Sequence, residues 1–381
     1  MYIGLDGIPL TLLKTGVGHY TFELARALAL VAKDFDFELV YPSTFSPITL
    51  AASENPPIPV NLKDVQVPVG PLSRHWWSVG LPRYVRTSGI ELFHGTNYDV
   101  PLRGRCATVL TVHDLSLLLH PETHEKHRVR RARRRLGLMA RASNAVITPT
   151  EAVRKEVCDY LGIGSEKVFA VPEAVRECFR PHKHSAGDAL RRRFGIEGDF
   201  LLTVATLEPR KNLGTLIRAF AEVLRHNSDR KLQLVVAGNK GWLTDPLFAE
   251  LEKSGVKDRI VLTGYVTDDD LPALYSSCLL FLYPSIYEGF GLPPLEAMAC
   301  GAPVITSRTS ALIETTGGAA YLVDPQNHQA LAQAILELTK NQNAREKLVA
   351  DGLKHAAKFS WEQTARKTLE VYGEALGRFR R

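Results

Sequence analysis

The sequence predicts an α/β protein of two parallel-sheet domains, and three observations carry that prediction. First, 381 residues exceed what one ordinary hydrophobic core organises and suit two domains of common size. Second, short, continuously apolar runs alternate with helical stretches in two successive series. Strands apolar on both faces belong to parallel sheets that helices cover on each side. Third, VPEAVRECFRPHKHSAGD at 171–188, with two prolines and mixed charge, separates the series and reads as a linker. The expected domains are Rossmann-like and span 1–172 and 173–361, with a C-terminal helix near 362–381 packed back on the first. Such sheets bind ligands beyond the carboxyl ends of their strands, which predicts a ligand cleft where the two domains face each other.

The first series opens with a strand at Tyr2–Leu5, then a glycine-containing loop. A helix follows near 19–31, on which Tyr20, Leu24, Leu28 and Val31 recur at helical spacing. Further strands are expected at FELVY (37–41), ELFHG (91–95), ATVLTVHD (107–114) and AVITPT (145–150). The proline-rich stretch 42–71 reads as extended chain around one weak strand at 65–69. The second series is FLLTVAT (200–206), LQLVVAG (232–238), RIVLTGYV (259–266), CLLFLYPS (278–285) and APVITS (302–307).

Hydrophobic residues at 45% and charged residues at 23% fit a globular chain and exclude a disordered or fibrous one. Five scattered cysteines without a CxxC pair point to reduced thiols rather than a disulfide framework or zinc site. The opening MYIGLDGIPL reads as a buried strand, not a secretory signal, and CLLFLY at 278–283 is strand-sized rather than membrane-spanning. A soluble, at most peripheral, cytoplasmic protein is expected. The formal charge of +6 is uneven, with HEKHRVRRARRR at 124–135 the most basic segment. On a helix, Val129, Ala132, Leu136 and Met139 share one face and the arginines occupy the rest. That surface is either a solvated face or a contact for an anionic membrane or polyphosphate. Nucleic acid fits less well, because no aromatic residue interleaves with the arginines.

The segment with most chemistry is YPSIYEGFGLPPLEAMACGAPVITS at 283–307. A strand should end at Pro284–Ser285, and Glu288, Gly289, Phe290 and Gly291 should form a loop. A helix should start around Pro293–Pro294, where proline suits the first turn. Glycines let the loop backbone approach a ligand, and free N–H groups at a helix start attract anions. Arg210 and Lys211 follow the strand at 200–206 and place two adjacent cations on a βα loop. Gly16 and Gly18 have the spacing G-x-G-x-x-T, and no acidic residue ends the second strand at Val40–Tyr41–Pro42, which argues against a dinucleotide fingerprint. His113 ends an apolar strand, where a buried imidazole would be odd and a cleft-facing one natural. Asp114 would orient it or cap the next segment. His94 is either structural or functional.

The spacing Glu288-x7-Glu296 within EGFGLPPLEAMACGAPVI resembles the signature of the retaining GT-B glycosyltransferases of family four, and TLEPRKNLGTLIRAF at 206–220 is similar to their diphosphate-binding segment. KTGVGHYTFEL, TVHD at 111–114, TPTEAV at 148–153 and VLTGYVTDDDLPALYSSC at 261–278 extend the likeness over nearly the whole chain. The resemblance implies a nucleotide-sugar donor and no further cofactor. Arg210 and Lys211 would hold the departing diphosphate, Glu288 would touch donor-sugar hydroxyls, and Glu296 would bind the ribose. Gly238, Tyr265 and Val266 would border the base. Gly16, Gly18, Phe290, Gly291 and Leu292 would line the donor, and His113 would reach its sugar. Loop residue Thr15 stands where some relatives carry more glycine. No DxD motif is placed for a metal, and the run Asp268–Asp270 reads as a helix N-terminus with Leu271, Leu274 and Tyr275 behind it. Metal-independent transfer with retention is therefore expected. The likeness is strongest to bacterial mannosyltransferases of surface-polysaccharide synthesis, so GDP-mannose leads, with UDP- and dTDP-sugars open. The acceptor implied is a lipid-linked glycan. A nucleotide-sugar epimerase and a catalytically silent scaffold are the rival classes.

Overall fold

The computed structural model describes residues 1–11, 16–48, 58–70, 73, 75–102, 105–182, 184–226 and 231–380. Lys14 and Thr15 of the glycine loop lie outside the described residues. The chain divides into two compact units. One comprises Met1–Leu115, Arg131–Ala174 and Ser360–Arg381; the other comprises Ser116–Arg130 and Val175–Phe359.

The first unit holds β1 (Tyr2–Asp6), β2 (Asp36–Pro42), β3 (Leu62–Val67), β4 (Leu92–Gly95), β5 (Ala107–Thr111), β6 (Ala145–Thr148) and β7 (Val168–Ala170). They form one parallel sheet in the order β3-β2-β1-β4-β5-β6-β7. Ile3, Leu5, Phe37, Leu39, Val109 and Leu110 are fully buried, as strands covered on both faces require. The helices Gly16–Val31 and Trp361–Phe379 pack on each other and cover one face. His94 ties β4 to that C-terminal helix. Its Nδ1 meets the Tyr372 hydroxyl and its Nε2 the Thr111 hydroxyl, both at 2.8 Å.

In the second unit, β8 (Phe200–Val204), β9 (Gln233–Ala237), β10 (Ile260–Gly264), β11 (Leu280–Tyr283), β12 (Val304–Ser307) and β13 (Tyr321–Val323) run parallel in the order β10-β9-β8-β11-β12-β13. The order reverses between β8 and β11, and ligands of open sheets bind at such a switch point. The segment Ser116–Arg130 is fastened here by Trp242. The indole N–H donates to the Thr123 carbonyl at 2.9 Å, the His124 ring stacks on it, and the Arg128 guanidinium lies 5.1 Å above it.

The structure corrects several expectations. Residues 171–188 are not linker throughout: Phe179 is buried in the second core and His184–Phe194 is a helix. An apolar anchor decides this more strongly than the flanking prolines do. The weak strand lies at 62–67 rather than 65–69, set by its ladder to β2. Strands β7 and β13, three residues each, are too short to show a periodicity. β5 ends at Thr111, so His113 lies past the ladder. The run Asp268–Asp270 does lead into the helix Leu271–Ser277 as expected, with Asp270 at its N-cap position; Asp268 takes a two-pronged ion pair from Arg176 (2.6 and 3.1 Å), and Asp270 pairs with Arg193 at 3.0 Å. Among the described residues no two cysteines are joined in a disulfide. Among the described residues no helix is long and apolar enough to cross a membrane.

Candidate active site

Two loops of the second unit converge beyond the neighbouring strands β8 and β11. After β8 the chain reaches Glu208 and makes a tight turn over Pro209–Lys211, which Asn212 closes in the left-handed conformation at φ 58°. Asparagine tolerates that conformation better than most side chains. The Asn212 amide donates to the carbonyls of Pro284 (3.0 Å) and Pro325 (2.7 Å), clamping the turn to the loops after β11 and β13. The Ile286 amide and the Ser285 hydroxyl both donate to the Arg210 carbonyl, at 2.9 and 3.0 Å. Residues 75 positions apart are thereby fixed against each other.

Glu288 is the hub of the side chains so assembled. Its Oε1 accepts from Lys211 Nζ (2.6 Å), Ser285 Oγ (2.6 Å) and Tyr283 Oη (2.9 Å), and its Oε2 from Arg210 Nη1 (3.0 Å). Arg210 also donates to Glu208 at 2.8 Å and to the Tyr287 carbonyl at 3.0 Å. Lys211 donates to the Tyr283 hydroxyl at 2.8 Å. Burial alone would push the Glu288 carboxyl up, but Arg210 and then Lys211 outweigh it and hold the group down at about 2. Burial and the neighbouring Arg210 lower Lys211 from the ordinary lysine range, with Glu288 opposing them. Two partly buried cations thus stand beside one another, kept in place by carboxylates.

Glu296 lies on the helix Leu292–Ala299 in a different environment. It accepts from Tyr275 Oη at 3.2 Å. Its burial pushes the carboxyl up to about 7, against the pull of Arg176. Gly291 caps this helix at φ 106°, and an added Cβ would come 2.5 Å from Leu312 Cδ2. Gly238 is equally constrained: a Cβ there would stand 1.9 Å from the Ala205 carbonyl oxygen. Phe290 is buried with its ring edge-on to Phe359, and Leu292 packs on the same core, so both serve the fold through their side chains. Val266 is buried too, whereas the Tyr265 ring is 46% exposed.

The first unit places the remaining predicted residues. Gly16 and Gly18 occupy the first turn of the helix Gly16–Val31, where Gly16 is exposed and Gly18 buried. His113 is largely enclosed, its side chain 12% exposed. The edges and faces of Tyr20 and Tyr98 surround it. Its Nε2 donates to the Thr96 carbonyl at 2.8 Å, and its Nδ1 meets Glu173 at 3.1 Å. Burial works to lower its pKa, but the Glu173 hydrogen bond and charge overcome it and the group is raised. Glu173, which sequence reasoning did not single out, is therefore the partner that orients this histidine. His94 takes the structural of its two readings: burial drives it down to about 3, so it is neutral. Glu208, Tyr283, Ser285 and Asn212 also escaped assignment, although each stands inside the two quoted motifs.

Fold and site together define a glycosyltransferase of the GT-B architecture. The chain matches the family models Glycosyl transferases group 1 over residues 188–355 and Glycosyltransferase Family 4 over residues 14–177, and it belongs to these glycosyltransferases. It is 29% identical over 376 residues to O-antigen chain mannosyltransferase B of Escherichia coli, covering 94% of this chain and 96% of that protein. It is 31% identical over 274 residues to the serotype-specific mannosyltransferase WbdA of Escherichia coli, covering 71% of this chain but 34% of that protein's length. Among solved structures, Anabaena HepE in complex with UDP and glucose superposes with a TM-score of 0.73 at 20% identity, covering 98% of this chain and 99% of that one.

Proposed function

We propose that the enzyme is a retaining, metal-independent mannosyltransferase that moves mannose from GDP-mannose to a growing lipid-linked glycan. The observation that carries this reading is the partly buried pair Arg210 and Lys211, fixed by hydrogen bonds at the switch point of the second sheet. As the bond between the sugar's anomeric carbon and the phosphate oxygen breaks, negative charge accumulates on the departing diphosphate. Two preorganised cations stabilise that charge where it develops. The same leaving oxygen accepts the proton of the attacking hydroxyl on the same face, which gives retention without the paired nucleophile and acid of a glycoside hydrolase. Glu296 binds the ribose, and Gly238, Tyr265 and Val266 border the base. In the first unit His113, oriented by Glu173 at 3.1 Å, reaches the donor sugar. The mannosyltransferase names of two relatives support mannose, and the UDP complex of HepE supports a nucleotide-linked donor.

The test is a melting screen with GDP, UDP, dTDP and their sugars, followed by transfer assays. A ligand at a hundred times its Kd stabilises the fold by about 2.7 kcal/mol. GDP and GDP-mannose are expected to raise the midpoint most, and transfer is expected to proceed undiminished in EDTA. A strict requirement for added Mg²⁺ or Mn²⁺ would contradict the charge-stabilising role of Arg210 and Lys211.

The arginine-rich segment forms part of the helix Lys126–Ala142, with Val129, Leu136 and Met139 buried. Arg131 and Arg135 are pinned to Asp99, at 3.6 and 2.6 Å. Arg130, Arg133 and Arg134 are exposed, and among the described residues they make no ion pair. We assign these three to an anionic membrane surface. Replacing them with glutamine is expected to weaken binding to phosphatidylserine-containing vesicles by about 1 kcal/mol per residue. Vesicle binding equal in parent and variant would leave the helix a solvated face.

A further inference from the structure

The segment Ser116–Arg130 follows β5 in the chain and packs with the second unit. Its first part is wound into two tight turns. The His120 amide donates to the Ser116 carbonyl at 2.8 Å, and the Thr123 amide and hydroxyl donate to the His120 carbonyl at 3.0 and 2.7 Å. The His124 Nε2 meets the Ser116 hydroxyl at 3.0 Å. A strap closed on itself in this way moves as one piece.

It grips the second unit at two points. The His120 ring lies 5.0 Å from the ring of Tyr287, in the loop after β11. The Thr123 carbonyl, the His124 ring and the Arg128 guanidinium all meet Trp242, in the loop after β9. In the sheet β8 stands between β9 and β11, so the two grips flank it. Strands two places apart are separated by about 10 Å. The four steps from His120 to His124 reach about 14 Å at most, so the strap crosses directly over the carboxyl end of β8. Arg210 and Lys211 lie beyond that end.

Both gripped loops are also bonded to the turn that carries the cations. After β9, the Leu207 amide donates to the Asn239 carbonyl at 2.9 Å and the Gly241 amide to the Leu207 carbonyl at 3.0 Å. Gly241 permits that approach, because a Cβ there would stand 2.7 Å from the Leu207 carbonyl oxygen. After β11, the Tyr287 carbonyl accepts from Arg210 Nη1 at 3.0 Å. Trp242, the strap, Tyr287 and the turn of Arg210 therefore form a closed circuit of contacts around the cation pair.

We propose that this strap is a lid over the diphosphate-binding pair, and that Trp242 is the positioning residue that latches it. The proposal rests on the glycosyl-transfer reading above. Where a lid keeps water out, charge-assisted hydrogen bonds to the phosphates strengthen. The latch is one hydrogen bond and two ring contacts, few enough for the lid to open and reclose.

Calorimetric affinities for GDP and GMP test this in the full chain, with UDP and UMP in parallel. The proteins are the parent, Trp242→Ala, Trp242→Phe, Lys211→Ala and the double variant of Trp242→Ala with Lys211→Ala. Amide hydrogen exchange of residues 116–124 and the melting midpoint are measured beside them. Trp242→Ala is expected to speed exchange of the strap by about tenfold, the loss of its bond and ring contacts, and to weaken GDP to a similar degree. GMP, which lacks the second phosphate, should bind nearly as in the parent. Trp242→Phe keeps the ring and loses the bond to Thr123, so it should fall between parent and alanine; it carries the comparison where the alanine variant does not fold. With Lys211 already removed, Trp242→Ala should cost much less GDP affinity, because its effect passes through the cation. Unchanged strap exchange, equal losses for diphosphate and monophosphate, or losses that simply add in the double variant would overturn the lid while leaving the transfer reading intact. A parent that binds none of GDP, UDP and dTDP overturns the transfer reading and the lid with it.

Discussion

Lys211→Ala is expected to lower kcat for sugar transfer by about a hundredfold or more, the effect of removing one preorganised donor from a developing oxyanion. The ammonium is partly buried, and it is aimed by Glu288 at 2.6 Å and Tyr283 at 2.8 Å. A charge so fixed needs no reorganisation as the diphosphate departs. In the intact donor the phosphate charge is smaller and shared with Arg210, so KM should change far less than kcat. Steady-state transfer rates for parent and variant measure this split. Transfer at the parent rate would move the active site elsewhere in the chain.

Glu288→Gln is expected to show its largest effect on stability and on its pH dependence. The carboxyl is held near 2 in the fold against an ordinary 4.5, which corresponds to about 3 kcal/mol of stability. Because the folded value is the lower one, that contribution is present above about pH 4.5 and is lost as pH falls towards 2. The glutamine variant should therefore melt well below the parent near neutrality, and the gap should close in acid. Glu296 has the opposite sign. Its folded carboxyl keeps its proton up to about 7, so its contribution is present below about 4.5 and disappears as pH rises through 7. Melting midpoints taken between pH 3 and 8 check both signs. A parent-to-variant gap for Glu288→Gln that does not vary with pH would contradict the ion-pair description.

The parallel strands and the two motif loops were legible because they depend on local signals: continuous apolar runs, glycines and prolines at fixed offsets, and adjacent cations. Three-residue strands such as β7 and β13 carry too few side chains to display a period, and only their ladders define them. The partnerships of the site were less legible. Nothing near Glu288 in the sequence says that its carboxylate will neutralise Arg210 and Lys211, because the contact depends on β8 and β11 being neighbours in the sheet. Glu173 is hidden in the same way, 60 residues from the histidine it orients. The enclosure of His113 was equally illegible, because the carboxylate and the carbonyl that satisfy its two nitrogens come from Glu173 and Thr96.

Calorimetric affinities for GDP and GDP-mannose, in the parent and in Lys211→Ala, test most directly that Arg210 and Lys211 hold the leaving diphosphate. Free GDP ends in a more highly charged phosphate than its mannose ester, and a charge-assisted hydrogen bond contributes about 1.5–3 kcal/mol. Lys211→Ala is therefore expected to weaken GDP by about tenfold or more, and GDP-mannose distinctly less. Equal affinities in parent and variant for both ligands, or a parent that binds neither these nor their UDP and dTDP counterparts, would contradict it.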